Sequence, residues 1–158
     1  MNTDLMFSSK NPCWCTPQDF FDKLNAEFHF TLDVAATEKS AKCPVYFTPK
    51  TNALIQNWGV TGGAVWCNPP YGRNINLWVQ KAKEESELRH ITVVMLIPAR
   101  TDTRYFQDFI LYGKASEVRF VRGRLRFTDE DGKPSAPAPF PSAVVIFRPQ
   151  EVSHDASS

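Results

Sequence analysis

A run of apolar residues from Ile91 to Ile97, in which Thr92 is the one polar member, constrains the fold of this chain most. Such a run is too short to span a membrane and is typical of a strand that is covered on both faces. Apolar residues at helical spacing lie on either side of it, at Ile75, Trp78, Val79 and Ala82 and at Tyr105, Phe106, Phe109 and Ile110. Helices that alternate with strands predict an α/β fold with a mostly parallel sheet between helices.

Local patterns predict the remaining helices and strands. Thr16 and Pro17 indicate the start of a helix, since threonine caps free amides and proline suits the first helical position. Alternating apolar residues predict a strand over 28–34, and short apolar runs predict further strands at 64–67, 117–121, 125–128 and 143–147. The late strands have no helix between them, so we expect them to pair antiparallel.

Length and composition limit the class of protein. A chain of 158 residues is expected to form one domain, 1–158, with flexible tails at 1–12 and 150–158 and no separate target-recognition domain. The net charge of +1 excludes a globally basic nucleic-acid binder but not a local basic patch. We see no secretory signal, membrane span or zinc-type cysteine spacing, and therefore expect a cytoplasmic protein with reduced thiols and no metal.

The tetrapeptide Asn68-Pro69-Pro70-Tyr71 carries the clearest chemical signal. It follows a short predicted strand, and ligands of open α/β sheets bind at the carboxyl ends of strands. The two prolines fix the backbone and remove two N–H donors, so carbonyl oxygens are left pointing outward. With the amide of Asn68 beside them and the ring of Tyr71 at the rim, we expect an acceptor-rich pocket for a planar ligand with an amino group.

Six sequence blocks in one order resemble the short phage-type DNA N-6-adenine methyltransferases, which use S-adenosylmethionine. The blocks lie at 16–17, 32–36, 66–72, 98–103, 123–127 and 139–142. The resemblance implies a three-layer Rossmann-like methyltransferase fold that is shortened in its cofactor half, because only about 30 residues separate Asp33 from the next predicted strand. It also implies S-adenosylmethionine as cofactor, double-stranded DNA as partner, and a phage or prophage gene in a bacterial host.

The resemblance also implies roles for individual residues. The catalytic residues are expected to be Asn68, Pro69, Pro70 and Tyr71. Asn68 Oδ1 and the Pro69 carbonyl would accept the amino hydrogens of a flipped-out adenine, and Tyr71 would stack on the base. The residues expected at the cofactor are Thr16, Pro17, Asp33, Ala35, Ala36 and Asn52. Among these, the carboxylate of Asp33 would accept from the cofactor's ammonium group.

Arginines near two strand ends predict contacts with DNA phosphates. Arginines at 119, 122, 124 and 126 lie within eight residues that contain no acid, and two more flank the segment 101–103. The loops 99–104 and 129–142 are expected to face the DNA. The predicted DNA-binding residues are Arg100, Thr101, Arg104, Arg122, Arg124 and Arg126.

Two other interpretations stay open from the sequence. Protein glutamine methyltransferases use the same tetrapeptide, so a protein glutamine or an RNA base is an alternative target. A catalytically inactive DNA-binding module on a degenerate methyltransferase fold would also explain the shortened cofactor half. Binding of S-adenosylmethionine distinguishes this last interpretation from the others.

Overall fold

The computed structural model describes residues 14–112 and 115–149. The tails that we predicted to be flexible, 1–12 and 150–158, lie outside these ranges. Five strands form one sheet within the described ranges: β1 (Phe30–Asp33), β2 (Ala64–Cys67), β3 (Val93–Pro98), β4 (Glu117–Phe120) and β5 (Ser142–Phe147). Their order across the sheet is β1-β2-β3-β5-β4.

The direction of these strands confirms a mostly parallel sheet with an antiparallel C-terminal pair. β1, β2 and β3 pair in parallel. β5 pairs antiparallel with both β3 and β4, so β4 runs in the same direction as the first three strands. Every residue of β3 is buried, as the apolar run 91–97 predicts, and every residue of β5 is buried as well. The fold is therefore α/β and Rossmann-like.

Helices cover both faces of the sheet and so give the three predicted layers. Helix α1 (Gln18–Phe28) places Phe21 and Leu24 on one face, together with alternate residues of β3. Helix α2 (Ile75–Arg89) and a π-helix (Tyr105–Leu111) pack on the other face with the remaining β3 residues. Each face of β3 thus belongs to its own apolar cluster, which is why its sequence lacks polar alternation.

Between β1 and β2 the chain is shortened, as the sequence predicted. Residues 45–47 lie beside β1 where a full strand would continue the sheet, but the two segments share one parallel bridge, between Asp33 and Tyr46. Asp33 N donates to the Val45 carbonyl at 3.1 Å, and Phe47 N donates to the Asp33 carbonyl at 2.9 Å. The rest of the segment contains a 3-10 turn, Ala53–Ile55.

A buried carboxylate fastens this irregular segment to α2. Glu85 Oε1 accepts from the backbone N–H of Trp58 at 2.8 Å and from Arg89 Nε at 3.2 Å, and Lys81 Nζ lies 3.3 Å from Glu85 Oε2. The indole of Trp58 is fully buried and donates to the Ala53 carbonyl at 2.8 Å. Hydrogen bonds to one acidic side chain therefore take the place of strand pairing here.

One predicted strand is absent. Residues 125–128 alternate like a strand, but they form only isolated bridges, from Thr128 to Cys15 and to Pro134. Phe127 is fully buried in the cluster on the α1 face. The alternating pattern therefore arises because this segment packs over a face of the sheet and buries Phe127, and the segment does not form a strand of the sheet.

The described ranges also bear on membrane, metal and thiol expectations. In residues 14–112 and 115–149, no helix has the length and apolar character needed to cross a bilayer. The same ranges bring no three His, Cys, Asp or Glu side chains together as metal ligands. Cys43 and Cys67 are free thiols, but Cys15 is disulfide-bonded, so the expectation of reduced thiols is wrong at Cys15.

Candidate active site

The predicted site residues meet at one edge of the sheet. The parallel strands β1, β2 and β3 end at this edge with Asp33, Cys67 and Pro98. β5 runs the other way and begins here, with Ser142 opposite Pro98. The turn at 68–71 directly follows β2, so it lies beside the end of the strand that carries Asp33.

The side-chain amide of Asn68 is held by hydrogen bonds on both of its ends. Asn68 Nδ2 donates to the Trp14 carbonyl at 2.6 Å and to Thr16 Oγ1 at 3.1 Å. Asn68 Oδ1 accepts from the hydroxyl of Tyr71 at 2.7 Å. Asn68 Oδ1, the oxygen that we expect to contact the substrate, therefore already accepts a hydrogen bond from within the protein.

Tyr71 lies further inside the protein than the sequence predicted. Its ring meets Phe127 and Phe140 edge-on, with centroids 6.1 and 5.6 Å apart, and does not lie flat at the rim. Its hydroxyl also lies 3.0 Å from the Leu96 carbonyl. Burial raises the pKa of Tyr71 well above its usual value. The hydroxyl therefore stays protonated and donates a hydrogen bond to Asn68 Oδ1.

Thr16 does not cap helix α1 as we predicted. The helix begins at Gln18, Pro17 precedes it, and no side chain caps its first turn. The Thr16 hydroxyl instead accepts from Asn68, and the residue is 2% exposed. Backbone pairing of Cys15 with Thr128 fixes this segment against the turn region at the site, which draws the threonine away from the helix.

The carboxylate of Asp33 is buried and orders the loop that follows β1. Asp33 Oδ1 accepts from the backbone N–H of Ala35 at 3.2 Å, and Oδ2 accepts from that of Lys42 at 3.0 Å. Burial raises the pKa of Asp33 to about 6, although these two hydrogen bonds act in the opposite direction. The carboxylate therefore fixes the position of Lys42, which lines the cavity described below.

The raised pKa of Asp33 predicts an unusual pH dependence of stability. Its ordinary value is 3.8, so between about pH 4 and pH 6 the folded chain binds this proton more readily than the unfolded chain. The contribution of Asp33 to the free energy of unfolding is therefore fully present below pH 4 and is lost as the pH rises through 6. The free energy of unfolding of wild type, minus that of Asp33→Asn, should fall by about 2–3 kcal/mol over this range in urea titrations. A pH dependence of Asp33→Asn that is identical to that of wild type would refute the prediction.

A cavity of about 220 Å³ lies next to Thr16. It is lined by residues of the segments 39–42 and 128–132 and by Cys15, Thr16 and Gln18. The lining includes two lysines, Lys39 and Lys42, and three consecutive acids, 129–131. Lys39 Nζ lies 3.7 Å from Asp131 Oδ1, and Lys42 Nζ donates to Gln18 Oε1 at 2.9 Å. Opposite charges among the lining residues suit a ligand with a carboxylate and an ammonium group, such as the amino-acid end of S-adenosylmethionine.

The other residues predicted for the cofactor do not line this cavity. Ala35 N donates to Asp33, and Ala36 is buried, with its N–H bonded to the Phe47 carbonyl at 3.0 Å. Asn52 is exposed with φ of 58°, in the left-handed region. Of the six residues predicted for the cofactor, Thr16 both lines the cavity and contacts the turn at 68–71, through Asn68.

The predicted DNA-binding arginines differ in their partners. Arg104 and Arg122 are exposed and form no ion pair within the part of the chain that the structure describes. The Arg100 guanidinium lies 5.7 Å from the ring centre of Phe140. Arg124 Nη1 and Arg126 Nη1 donate to backbone carbonyls at 3.5 and 3.1 Å, which leaves their other donors available. The Thr101 carbonyl accepts from Gln107 Nε2 at 2.6 Å.

Arg119 does not share the surface role suggested for the arginine-rich segment. Its guanidinium donates to both carboxylate oxygens of Glu27 at 2.7 Å and to Glu117 at 2.6 Å. These hydrogen bonds raise the pKa of Arg119 further above its usual value. The segment 119–126 contains no acid, but Glu27, which is distant in sequence, pairs with Arg119. The local sequence alone therefore could not predict whether the Arg119 charge is unpaired.

Several residues at the site had no role in the sequence interpretation. The ring of Trp14 meets those of Phe127 and Phe140 edge-on with centroids 5.4 Å apart, and the two phenylalanine rings lie tilted at 6.0 Å. Arg73 is exposed and lies two residues after the turn at 68–71. Phe127 and Phe140 lie in two of the sequence blocks named above, which was the one available signal for them.

The Rossmann-like fold and the turn after β2 are compatible with a methyltransferase, and the comparison with known proteins supports that class. The chain belongs to the DNA N-6-adenine-methyltransferase (Dam) family, whose model matches residues 5–156. It is 30% identical over 145 residues to the DNA N-6-adenine-methyltransferase of Haemophilus phage HP1, which covers 90% of this chain and 82% of that protein. It is 34% identical over 120 residues to the DNA N-6-adenine-methyltransferase of Escherichia phage T1, covering 75% of this chain and 48% of that protein.

Proposed function

We propose that this chain transfers a methyl group from S-adenosylmethionine to the exocyclic amine of adenine in double-stranded DNA. One observation carries the proposal: Asn68 Oδ1 accepts a hydrogen bond at 2.7 Å at the carboxyl end of β2. An oxygen in that position can accept from the adenine amine in place of the Tyr71 hydroxyl. Membership of the family supports DNA adenine as the target.

The acceptors at the turn would make the amine reactive. The amine of adenine is a poor nucleophile, because its lone pair is delocalised into the ring. If Asn68 Oδ1 and the Pro69 carbonyl each accept one amino hydrogen, the nitrogen approaches a tetrahedral geometry and its lone pair becomes available. Fixed dipoles of this kind, aimed at the charge that develops, stabilise the transition state. As the carbon–nitrogen bond formed, the methyl–sulfur bond would break with its electron pair staying on sulfur, and the nitrogen would then lose one proton to water.

The cavity next to Thr16 suits the amino-acid end of the cofactor. We assign Lys42 to its carboxylate and the acidic turn 129–131 to its ammonium group, because their charges are complementary. Asp33 contributes by holding the N–H of Lys42. When bound, S-adenosylmethionine supplies an electrophilic methyl group on a sulfonium. The task of the protein is then to hold amine and methyl in line.

Tyr71 would bind the extruded base. An amine within the duplex is out of reach, so the adenine must leave the stack. Asn68 Oδ1 has two lone pairs, so it can accept from the adenine amine whether or not the Tyr71 hydroxyl moves away. Stacking of the base on the ring would contribute ~1–3 kcal/mol. Tyr71 thus protects the acceptor in the free enzyme and contacts the base in the complex.

The DNA would lie along the edge that carries the arginines. Arg100 and Arg104 follow β3, and Arg122 and Arg124 follow β4, so all four are at the same edge as the catalytic turn. Because the relatives come from phages, we place the reaction in the cytoplasm of a bacterial host. The loops 99–104 and 129–142 would provide recognition.

Substitution of an exposed arginine at this edge tests the DNA interface. Arg122→Gln should weaken binding of a duplex several-fold and should lower the slope of log K against log salt by about 1, since one phosphate contact is lost. Fluorescence anisotropy at several salt concentrations measures both quantities. Lys83→Gln removes one charge from α2, where Lys83 pairs with Glu87, and should leave the slope unchanged. An unaltered slope in Arg122→Gln would remove this residue from the interface.

The proposed activity itself is tested by methyl transfer. The purified chain, incubated with methyl-labelled S-adenosylmethionine and duplex DNA, should yield N6-methyladenine on nucleoside analysis. Label in cytosine, in RNA alone or in protein glutamine would refute the proposed target. Absence of cofactor binding in calorimetry would instead favour an inactive DNA-binding module.

A further inference from the structure

The amide of Asn68 can take only one orientation in its surroundings. Its two N–H groups donate to the Trp14 carbonyl at 2.6 Å and to Thr16 Oγ1 at 3.1 Å. A carbonyl oxygen has no proton to give. If the amide rotated by half a turn, its oxygen would face the Trp14 carbonyl and its nitrogen would face the substrate. The Trp14 carbonyl therefore decides that Oδ1 faces the substrate, and the Thr16 hydroxyl, which can donate as well as accept, adds a second bond that holds the amide in this orientation.

The segment that holds the amide is itself fixed. Cys15 N donates to the Thr128 carbonyl at 3.1 Å, and Thr128 N donates to the Cys15 carbonyl at 2.9 Å. The Trp14 ring packs edge-on against Phe127 and Phe140. Thr16 is 2% exposed and, with no helix to cap, keeps its hydroxyl for Asn68. The hydroxyl is thus held rigidly against the amide.

We propose that Thr16 is a positioning residue for the reaction, because its hydroxyl accepts the second N–H of the Asn68 amide and so holds that amide, oriented by the Trp14 carbonyl, with Oδ1 toward the adenine amine. The inference rests on the proposed function but assigns to Thr16 a role other than cofactor contact. It predicts that loss of the hydroxyl lowers kcat, since the amide is then held on its nitrogen side by the Trp14 carbonyl alone and occupies the productive position less often. A direct cofactor contact would instead raise KM for S-adenosylmethionine.

Thr16→Val removes the hydroxyl and retains the shape of the side chain. At saturating DNA and cofactor its kcat should be about tenfold lower, the effect of one hydrogen bond of about 1.4 kcal/mol. KM for S-adenosylmethionine should stay within about twofold of the wild-type value. Thr16→Ser restores the hydroxyl and should recover most of the lost turnover. Unchanged kcat in Thr16→Val, no recovery in Thr16→Ser, or a change in cofactor KM alone would each overturn the proposal.

A second measurement needs neither activity nor a variant. In the free protein, the side-chain N–H protons of Asn68 should exchange with solvent at least about tenfold more slowly than those of Asn74, which is exposed and makes no capping hydrogen bond. Equal exchange rates in NMR would overturn the inference even if Thr16→Val failed to fold. Wild-type protein that binds cofactor but does not methylate adenine would contradict the proposed function instead.

Discussion

Replacing Asn68 by alanine should lower the rate of adenine methylation by a factor of about 100–1000. This is the usual effect of removing one fixed hydrogen-bonding group that acts on developing charge. Asn68 Oδ1 would otherwise accept one amino hydrogen of adenine, and no neighbouring side chain is placed to do so, because the Tyr71 hydroxyl is a donor toward this position. Binding of S-adenosylmethionine should be retained, since Asn68 does not line the cavity next to Thr16.

The measurement must separate lost chemistry from lost stability. Alanine leaves the Trp14 carbonyl and the Thr16 hydroxyl without this partner, while the Tyr71 hydroxyl keeps the Leu96 carbonyl as acceptor, and the loss costs about 1–3 kcal/mol of folding stability. Single-turnover rates should therefore be compared at a temperature at which circular dichroism shows both proteins folded. Asn74→Ala is the matched control and should retain wild-type turnover. Activity of Asn68→Ala within tenfold of wild type would exclude the catalytic role of this amide.

The largest effect on stability is expected at Glu85. Its carboxylate is almost fully buried and has three partners: the Trp58 N–H, Lys81 and Arg89. Burial acts to raise the pKa of Glu85, but these three partners together hold it below its usual value. Glu85→Ala leaves a buried N–H without an acceptor and two cations without their counter-charge. We expect the free energy of unfolding to fall by about 3–4 kcal/mol.

Thermal unfolding measures this prediction. A loss of that size in a chain of this length corresponds to a melting temperature lower by roughly 6–16 °C. Glu84→Ala is a control on the same helix, since Glu84 is exposed and accepts only from Gln80. It should shift the free energy of unfolding by less than about 0.5 kcal/mol. Similar melting temperatures for the two variants would show that the segment around Trp58 is not held by Glu85.

Elements with a strong local pattern were predictable from the sequence. The runs that became β3 and β5 are buried on both faces, and α2 has a regular apolar stripe, so neighbouring residues determine each of them. The segment 37–63 has no such period, because side-chain contacts to α2 hold it in place of strand pairing. The alternation at 125–128 is real but reflects burial of Phe127 on the cover of the sheet.

The site was predictable in its position but not in its contacts. The two prolines after β2 indicated where Asn68 and Tyr71 would lie. No local pattern could show that Trp14 and Thr16 bind the amide of Asn68, because more than 50 residues separate them. Nor could it show that Glu27 neutralises Arg119 across 92 positions. Hydrogen bonds between distant segments depend on the complete fold.

The place of β5 in the sheet has a consequence for how the chain folds as it is synthesised. β5 lies between β3 and β4, so β4 has no neighbour in the described sheet until β5 inserts. Roughly 40 residues separate β3 from β5, which at ribosomal rates corresponds to about 2–8 s of translation. During that time the apolar edge of β3 is open to aggregation. A chaperone that covers this edge during translation should therefore raise the soluble yield more than any change at the active site.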